Sequence, residues 1–175
     1  MKLLVLYATI EGQTRKIARH AADRLSSLGH SVELLSVSDA DDIPLDGLDG
    51  AVVAGSLHAG HYQEALVDFV RDRRVELDRI ATLFLSVSLS AAGAHPDDLK
   101  GLDECLDRFQ AATGWTPGRV EQVAGALKYS RYDFFRYWAM RWIASQMDEE
   151  ARSGEDREYT DWVALGAALE DWVRG

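Results

Sequence analysis

Three stretches of the 175-residue chain combine small and hydroxyl side chains in a way that could do chemistry. The first reads Thr9-Ile10-Glu11-Gly12-Gln13-Thr14, the second Gly55-Ser56-Leu57-His58-Ala59-Gly60-His61-Tyr62, and the third Ser86-Val87-Ser88-Leu89-Ser90-Ala91-Ala92-Gly93. In the first, hydroxyls at both ends, a glycine in the turn and the free amides of a following helix would make a phosphate cradle. It has one glycine and no lysine at the needed place, so it is neither of the two familiar glycine-rich phosphate motifs. The other two stretches let backbone amides approach a flat heterocycle closely. At one edge of a sheet, the three would suit a mononucleotide with a planar head. His58 and His61 have the spacing H-x-x-H but no neighbouring carboxylate or cysteine pair, so no metal site is expected. The serines form no Ser-His-Asp arrangement with them.

These stretches must be positioned by the elements around them. Five apolar runs of β type occur in order: Leu3–Ala8, Val32–Val37, Ala51–Ala54, Thr82–Val87 and Val120–Ala124. The first, third and fourth are nearly continuous in apolar residues, as in strands covered on both faces. The second and fifth alternate, which places them nearer the sheet edges. Between the runs lie helical stripes. Ile17, Ala21, Leu25 and Leu28 mark a helix from Gln13 to Leu28, stopped by Gly29. Leu66, Phe69 and Val70 mark the next, and Leu102, Leu106 and Phe109 a third with Pro96 in its first turn. Trp162, Leu165, Leu169 and Trp172 mark the last, with Thr160 as the expected N-cap. Val37 to Gly50, with Pro44 and Gly47, has room only for a short helix. Cys105 lies beside Leu106 on its stripe and reads as a buried, inert thiol. His95, before Pro96, reads as a loop or capping residue.

Strands alternating with helices predict a doubly wound parallel sheet, α/β in class, with order 2-1-3-4-5 and ligands beyond the strand C-termini. The length suits one domain over residues 1–175. Its single Cys excludes a disulfide framework. With 19 Lys+Arg against 29 Asp+Glu, the net charge of −10 excludes a general nucleic-acid binder. There is no apolar run long enough to span a membrane. The opening MKLLVLYATIEG lacks the form of a signal peptide, so a cytoplasmic protein is expected.

The charge is unevenly spread. Lys128 to Ile143 carries Lys128, Arg131, Arg136 and Arg141 against Asp133 alone, a net +3 in a chain of −10, so the remainder carries −13. The same segment holds seven aromatic residues. At helical spacing, Phe134, Phe135, Trp138, Ala139 and Trp142 share one face, while Asp133, Arg136, Tyr137 and Arg141 share the other. A basic amphipathic helix of this kind packs on its own domain, on a second subunit, or on a membrane surface or an apolar substrate. It belongs to an insertion of roughly residues 127–159 between the fifth strand and the last helix. Beyond Met147, Asp148, Glu149, Glu150, Glu155, Asp156 and Glu158 read as a solvated acidic loop.

The strand-loop-helix LVLYATIEGQTRKIA resembles the phosphate loop of flavodoxins, which bind flavin mononucleotide (FMN). AGSLHAGHY, FLSVSLSA, VAGALKYSRYDFFRYWAMRWI and YTDW extend the likeness over almost the whole chain. They resemble the quinone-dependent protoporphyrinogen oxidases of bacteria, which are flavodoxin-like enzymes. The resemblance implies an FMN-dependent oxidation of protoporphyrinogen IX with a membrane quinone as acceptor. It implies a phosphate held by Thr9, Ile10, Glu11, Gly12, Gln13 and Thr14. The isoalloxazine ring would lie between Ser56, Leu57, His58, Ala59 and Gly60 on one side and Ser88, Leu89, Ser90 and Ala91 on the other. His58 becomes the candidate for a hydrogen bond or proton relay at the flavin edge. Lys128, Tyr129, Arg131 and Arg136 become candidates for binding the substrate, since arginine suits propionates. The same segment could meet the inner face of the cell membrane.

Two features depart from electron-transfer flavodoxins. Glu11 stands where a hydroxyl is common, so its side chain would have to point away from the phosphate. Residues 88–92 hold no aromatic side chain, and the other loop offers only His61 and Tyr62, which leaves room for a flat substrate and predicts two-electron chemistry. Two further activities fit the same residues: a flavodoxin-type electron carrier, and a flavin-dependent quinone reductase fed by a nicotinamide donor.

Overall fold

The nearly continuous runs of Leu, Val and Ala become the two-face-covered interior of a parallel sheet. In the computed structural model, which describes residues 1–10, 12–92, 96–127 and 157–175, five parallel strands run in the order β2-β1-β3-β4-β5. They are β1 (Lys2–Ala8), β2 (Ser31–Ser36), β3 (Gly50–Ser56), β4 (Ala81–Ser88) and β5 (Arg119–Ala124). β3 and β4 are buried along nearly their whole length, whereas β2 and β5 are only half covered. The two alternating runs are indeed the edges.

Helices cover both faces. α1 (Gln13–Ser27) and the C-terminal helix (Trp162–Arg174) lie on one; α2 (Glu64–Asp72) and α4 (Pro96–Thr113) lie on the other, with the single turn α3 (Arg74–Leu77) after α2. On the first face Ile17, Ala21, Leu25, Leu165 and Leu169 pack on Leu3, Val5, Val52 and Leu83. On the second, Leu66, Phe69 and Phe109 pack on Leu6, Val53 and Phe84, with fully buried Trp115. The stripes of the sequence are these contact faces, and their removal from water is the main driving force for the layering.

The last helix begins one residue later than expected. Its N-cap is Asp161, whose carboxylate accepts from the Ala164 amide at 2.9 Å. Thr160 is engaged elsewhere. Its Oγ1 donates to the Ala124 carbonyl at 2.7 Å, tying the chain to the end of β5. A short antiparallel ribbon completes the described chain. β6 (Ala126–Leu127) pairs with β7 (Arg157–Glu158), Ala126 opposite Glu158 and Leu127 opposite Arg157. Glu158, expected in a solvated acidic loop, is therefore strand.

The register brings the functional stretches together. Ala8 of β1 lies beside Gly55 of β3, Ser56 beside Val87 of β4, and Ser88 beside Ala124 of β5. The strands end level, and the loops after β1, β3 and β4 open at one edge. The chain leaves β1 toward β2 on one side, while β3 lies on the other. That reversal opens a crevice between β1 and β3.

Candidate functional site

The first loop ends in an uncapped helix. The Thr9 hydroxyl accepts the Gly12 amide at 2.9 Å, closing the loop on itself. Gly12 is the N-cap of α1 at φ 93°, in the left-handed region where only glycine is unstrained, and has no side chain with which to cap the helix. The amides of the first turn lack intrahelical acceptors, and no acidic residue stands in that turn. Such an end binds anions through its N–H groups and the helix dipole. Thr14 is buried at the same place. Gln13 is buried too, but its side chain turns to the ribbon: Nε2 donates to Glu158 Oε2 and to Thr160 Oγ1, both at 3.0 Å. Gln13 thus has only its backbone to offer a phosphate. Glu11 lies outside the described residues.

The second loop is a two-residue hairpin. His58 and His61 exchange both backbone hydrogen bonds, at 2.8 and 3.0 Å, around Ala59 and Gly60. Both central residues have positive φ, 49° and 80°, the geometry of a type I′ turn. Ala59 pays a steric cost there that a glycine would not. The turn is held from α4. Arg108 Nη2 donates to the Gly60 carbonyl at 3.1 Å and rests on Cys105 Sγ at the same distance. From behind, Gln63 Nε2 donates to the Ser56 hydroxyl. The H-x-x-H spacing is accounted for by this hairpin.

Tyr62 does not flank the open edge. It is buried, shares a 2.7 Å hydrogen bond with the Ser86 hydroxyl, and packs edge-on against Phe84 and Phe109. Burial pushes its phenol up to about 12, against the opposing pull of the Ser86 hydrogen bond, so the ring is a neutral part of the core. The aromatic content of the second loop is thereby reduced to the imidazoles.

The third loop is a short 3-10 turn, Ser90–Ala92. The buried Ser88 hydroxyl accepts from the Ala91 amide at 3.1 Å, and the Ala92 amide donates to the Leu89 carbonyl. Ser88 therefore shapes the loop, while Leu89, Ser90 and Ala91 remain partly exposed at its surface. The Ser88 carbonyl accepts the Gly125 amide at 2.9 Å, joining this loop to the start of the ribbon.

Three loops of small residues thus meet at one strand edge beside an uncapped helix N-terminus, and fit a phosphorylated planar cofactor. Lys128, Tyr129, Arg131 and Arg136 lie outside the described residues, as does the whole of 128–156. Among the described residues, no group of three or more His, Cys, Asp or Glu side chains could hold a metal ion, and no helix is long and apolar enough to cross a membrane. Sequence reasoning missed Arg108, Glu158 and Thr160. Each acts over a long stretch of chain, and only a helix or acidic-run context marks it locally.

A family model described as a flavodoxin domain matches residues 4–154. The chain belongs to the flavodoxin-domain family. Among curated relatives of this flavodoxin domain, protoporphyrinogen IX dehydrogenase [quinone] of Escherichia coli (strain K12) is 30% identical over 162 residues, covering 93% of this chain and 89% of that protein. The protein of the same name from Leishmania major is 27% identical over 176 residues, 98% of this chain and 74% of that one. A short-chain flavodoxin associated with a bacterial microcompartment superposes with a TM-score of 0.58 at 17% identity, over 99% of this chain and 98% of that one. This last likeness shows the flavodoxin-like fold. The curated relatives place the flavodoxin domain described here among oxidoreductases.

Proposed function

We propose that the chain binds FMN at the β1–β3 crevice and oxidises protoporphyrinogen IX, with a membrane quinone as electron acceptor. The observation that carries the cofactor is the uncapped, acid-free start of α1 behind Gly12, set level with the two small-residue loops. The substrate and acceptor rest on the names of the relatives at 27–30% identity. Flavin, when bound, would supply the redox chemistry, accepting electrons in pairs from the porphyrinogen for passage to the quinone.

The chain's own residues supply position and environment. The amides of the Thr9–Thr14 loop hold the phosphate. The hairpin at His58–His61 and the turn at Ser88–Ala91 border the ring, and the second of them, with no aromatic side chain, leaves one face open to a flat substrate. Tyr62 and Ser86, paired in the core behind the second loop, brace it from within. His58, fixed by the hairpin, stands at the ring edge to hold or pass a proton. Lys128, Tyr129, Arg131 and Arg136 supply charge and hydrogen bonds for the propionates, and the basic aromatic segment 128–143 lets the protein visit an anionic membrane surface where quinone resides.

Anaerobic mixing of FMN-loaded protein with protoporphyrinogen IX tests this reading. Loss of the visible flavin absorbance, restored by a soluble quinone, is the expected result. An unchanged spectrum at saturating porphyrinogen would reject the substrate.

A further inference from the structure

Glu158 sits where two parts of the molecule meet. One is the first turn of α1, which carries the phosphate loop; the other is the ribbon of β6 and β7. Its Oε2 accepts Gln13 Nε2 at 3.0 Å and Lys16 Nζ at 3.1 Å, two residues three apart on one face of α1. Its Oε1 accepts Trp162 Nε1 at 3.0 Å from the start of the C-terminal helix. Burial opposes its ionisation, but the hydrogen bonds from Lys16, Gln13 and Trp162 outweigh it and hold the carboxyl below its usual range.

The contacts continue on both sides. Gln13 Nε2 also reaches Thr160 Oγ1, which donates to the Ala124 carbonyl, and the Tyr159 amide donates to the Gly125 carbonyl at 3.0 Å. The Gly125 amide in turn meets the carbonyl of Ser88 in the third loop. Gln13 is only 6% exposed. Without Glu158 and Thr160, its amide group would lack acceptors at the residue that opens α1, and leaving a buried donor unmatched is costly.

We propose that Glu158 is a positioning residue that couples the phosphate loop to the β6–β7 ribbon. A phosphate dianion at the start of α1 fixes Gln13 and Lys16, which fixes Glu158 and the strand that bears it. The reverse holds equally, because coupling between two sites is reciprocal. Glu158 is the side chain of the ribbon itself that reaches α1, with Thr160 just beyond it as a second contact to Gln13. This inference rests on FMN binding at α1.

The test uses the full chain, with Glu158→Ala and Glu158→Gln, titrated with FMN and with riboflavin, which lacks the phosphate. Backbone amide exchange at Tyr159 is followed in each. In the parent protein, FMN should slow Tyr159 exchange and riboflavin should not. Glu158→Ala should weaken FMN about fivefold or more and abolish the slowing. Glu158→Gln, which keeps an acceptor for Gln13 but no charge, should stay closer to the parent in both. Tighter FMN binding in Glu158→Ala would overturn the coupling, since the carboxylate would then act only as a competing negative charge. Equal protection of Tyr159 by riboflavin would overturn it as well. Failure of the parent to bind FMN would instead remove the functional reading, and the coupling with it. FMN binding with an unmoved Tyr159 amide would remove the coupling alone.

Discussion

Gly12 and Tyr62 show how much single residues decide, one at the site and one behind it. At φ 93°, any side chain on residue 12 strains the backbone by about 1–2 kcal/mol. Gly12→Ala is therefore expected to lower stability by about 1 kcal/mol, roughly 2–4 °C in Tm. It should weaken FMN by up to about tenfold as the amides turn away from the phosphate, as flavin fluorescence titration would measure. Tyr62 makes the opposite case: it looks like a cofactor residue in the sequence and is a core residue in the fold. Burial raises its folded-state pKa from 10.0 to about 12, so its contribution is complete below the unfolded value and is lost as pH rises through that window. Two pH units correspond to about 2–3 kcal/mol. Denaturant midpoints measured on both sides of this range should fall steeply for the parent and less steeply for Tyr62→Phe. Equal slopes would mean that the phenol ionises as freely folded as unfolded. Nothing in the string Gly60-His61-Tyr62 distinguishes a ring-flanking tyrosine from a buried one. What decides it is Ser86, twenty-four residues away on the neighbouring strand.

At the scale of elements, the sheet was legible because its chemistry is local. Nearly continuous apolar runs mark the covered strands β1, β3 and β4, and alternation marks the edges β2 and β5. The stripes of α1, α2, α4 and the last helix are equally local. Contacts between elements were not legible. The pair Gln13–Glu158 spans 145 residues, and Arg108 meets Gly60 across 48. The start of the last helix failed for a finer reason, since Thr160 and Asp161 are both good N-cap residues. Thr160 is diverted by the Ala124 carbonyl, leaving the cap to Asp161. Asp161→Ala should then cost about 1 kcal/mol of stability, and Thr160→Ala should act on the ribbon instead. Thermal unfolding of the two variants, with amide exchange at Tyr159, separates the roles. If Asp161→Ala leaves the unfolding midpoint unchanged, the cap is energetically silent.

For the whole molecule, the division of charge matters more than its sum. On the membrane contact proposed above, a body of −13 would be repelled by an anionic surface and the +3 aromatic segment attracted to it, at about 1 kcal/mol for each basic residue near the membrane. Arg131→Ala combined with Arg136→Ala is expected to weaken binding to anionic liposomes by about tenfold or more. It should also raise KM for the porphyrinogen, with FMN affinity unchanged. Liposome sedimentation at two salt concentrations checks the first, because an attachment of this kind fades as salt screens it. Reduced FMN affinity in the double variant would assign these arginines to the fold instead.

The antiparallel ribbon has a consequence for how such a protein can change. It sets Leu127 beside Arg157, the separation that a two-residue turn closes in an ordinary hairpin. The two ends are therefore close enough for a two-residue turn to join them in place of the longer chain. Replacing residues 128–156 with Asn-Gly is expected to leave a folded protein that still takes up FMN but no longer turns over the porphyrinogen, as circular dichroism and flavin titration would report. The ribbon is then a grafting point, where recombination can give one redox scaffold a new clientele while its cofactor pocket stays as it was.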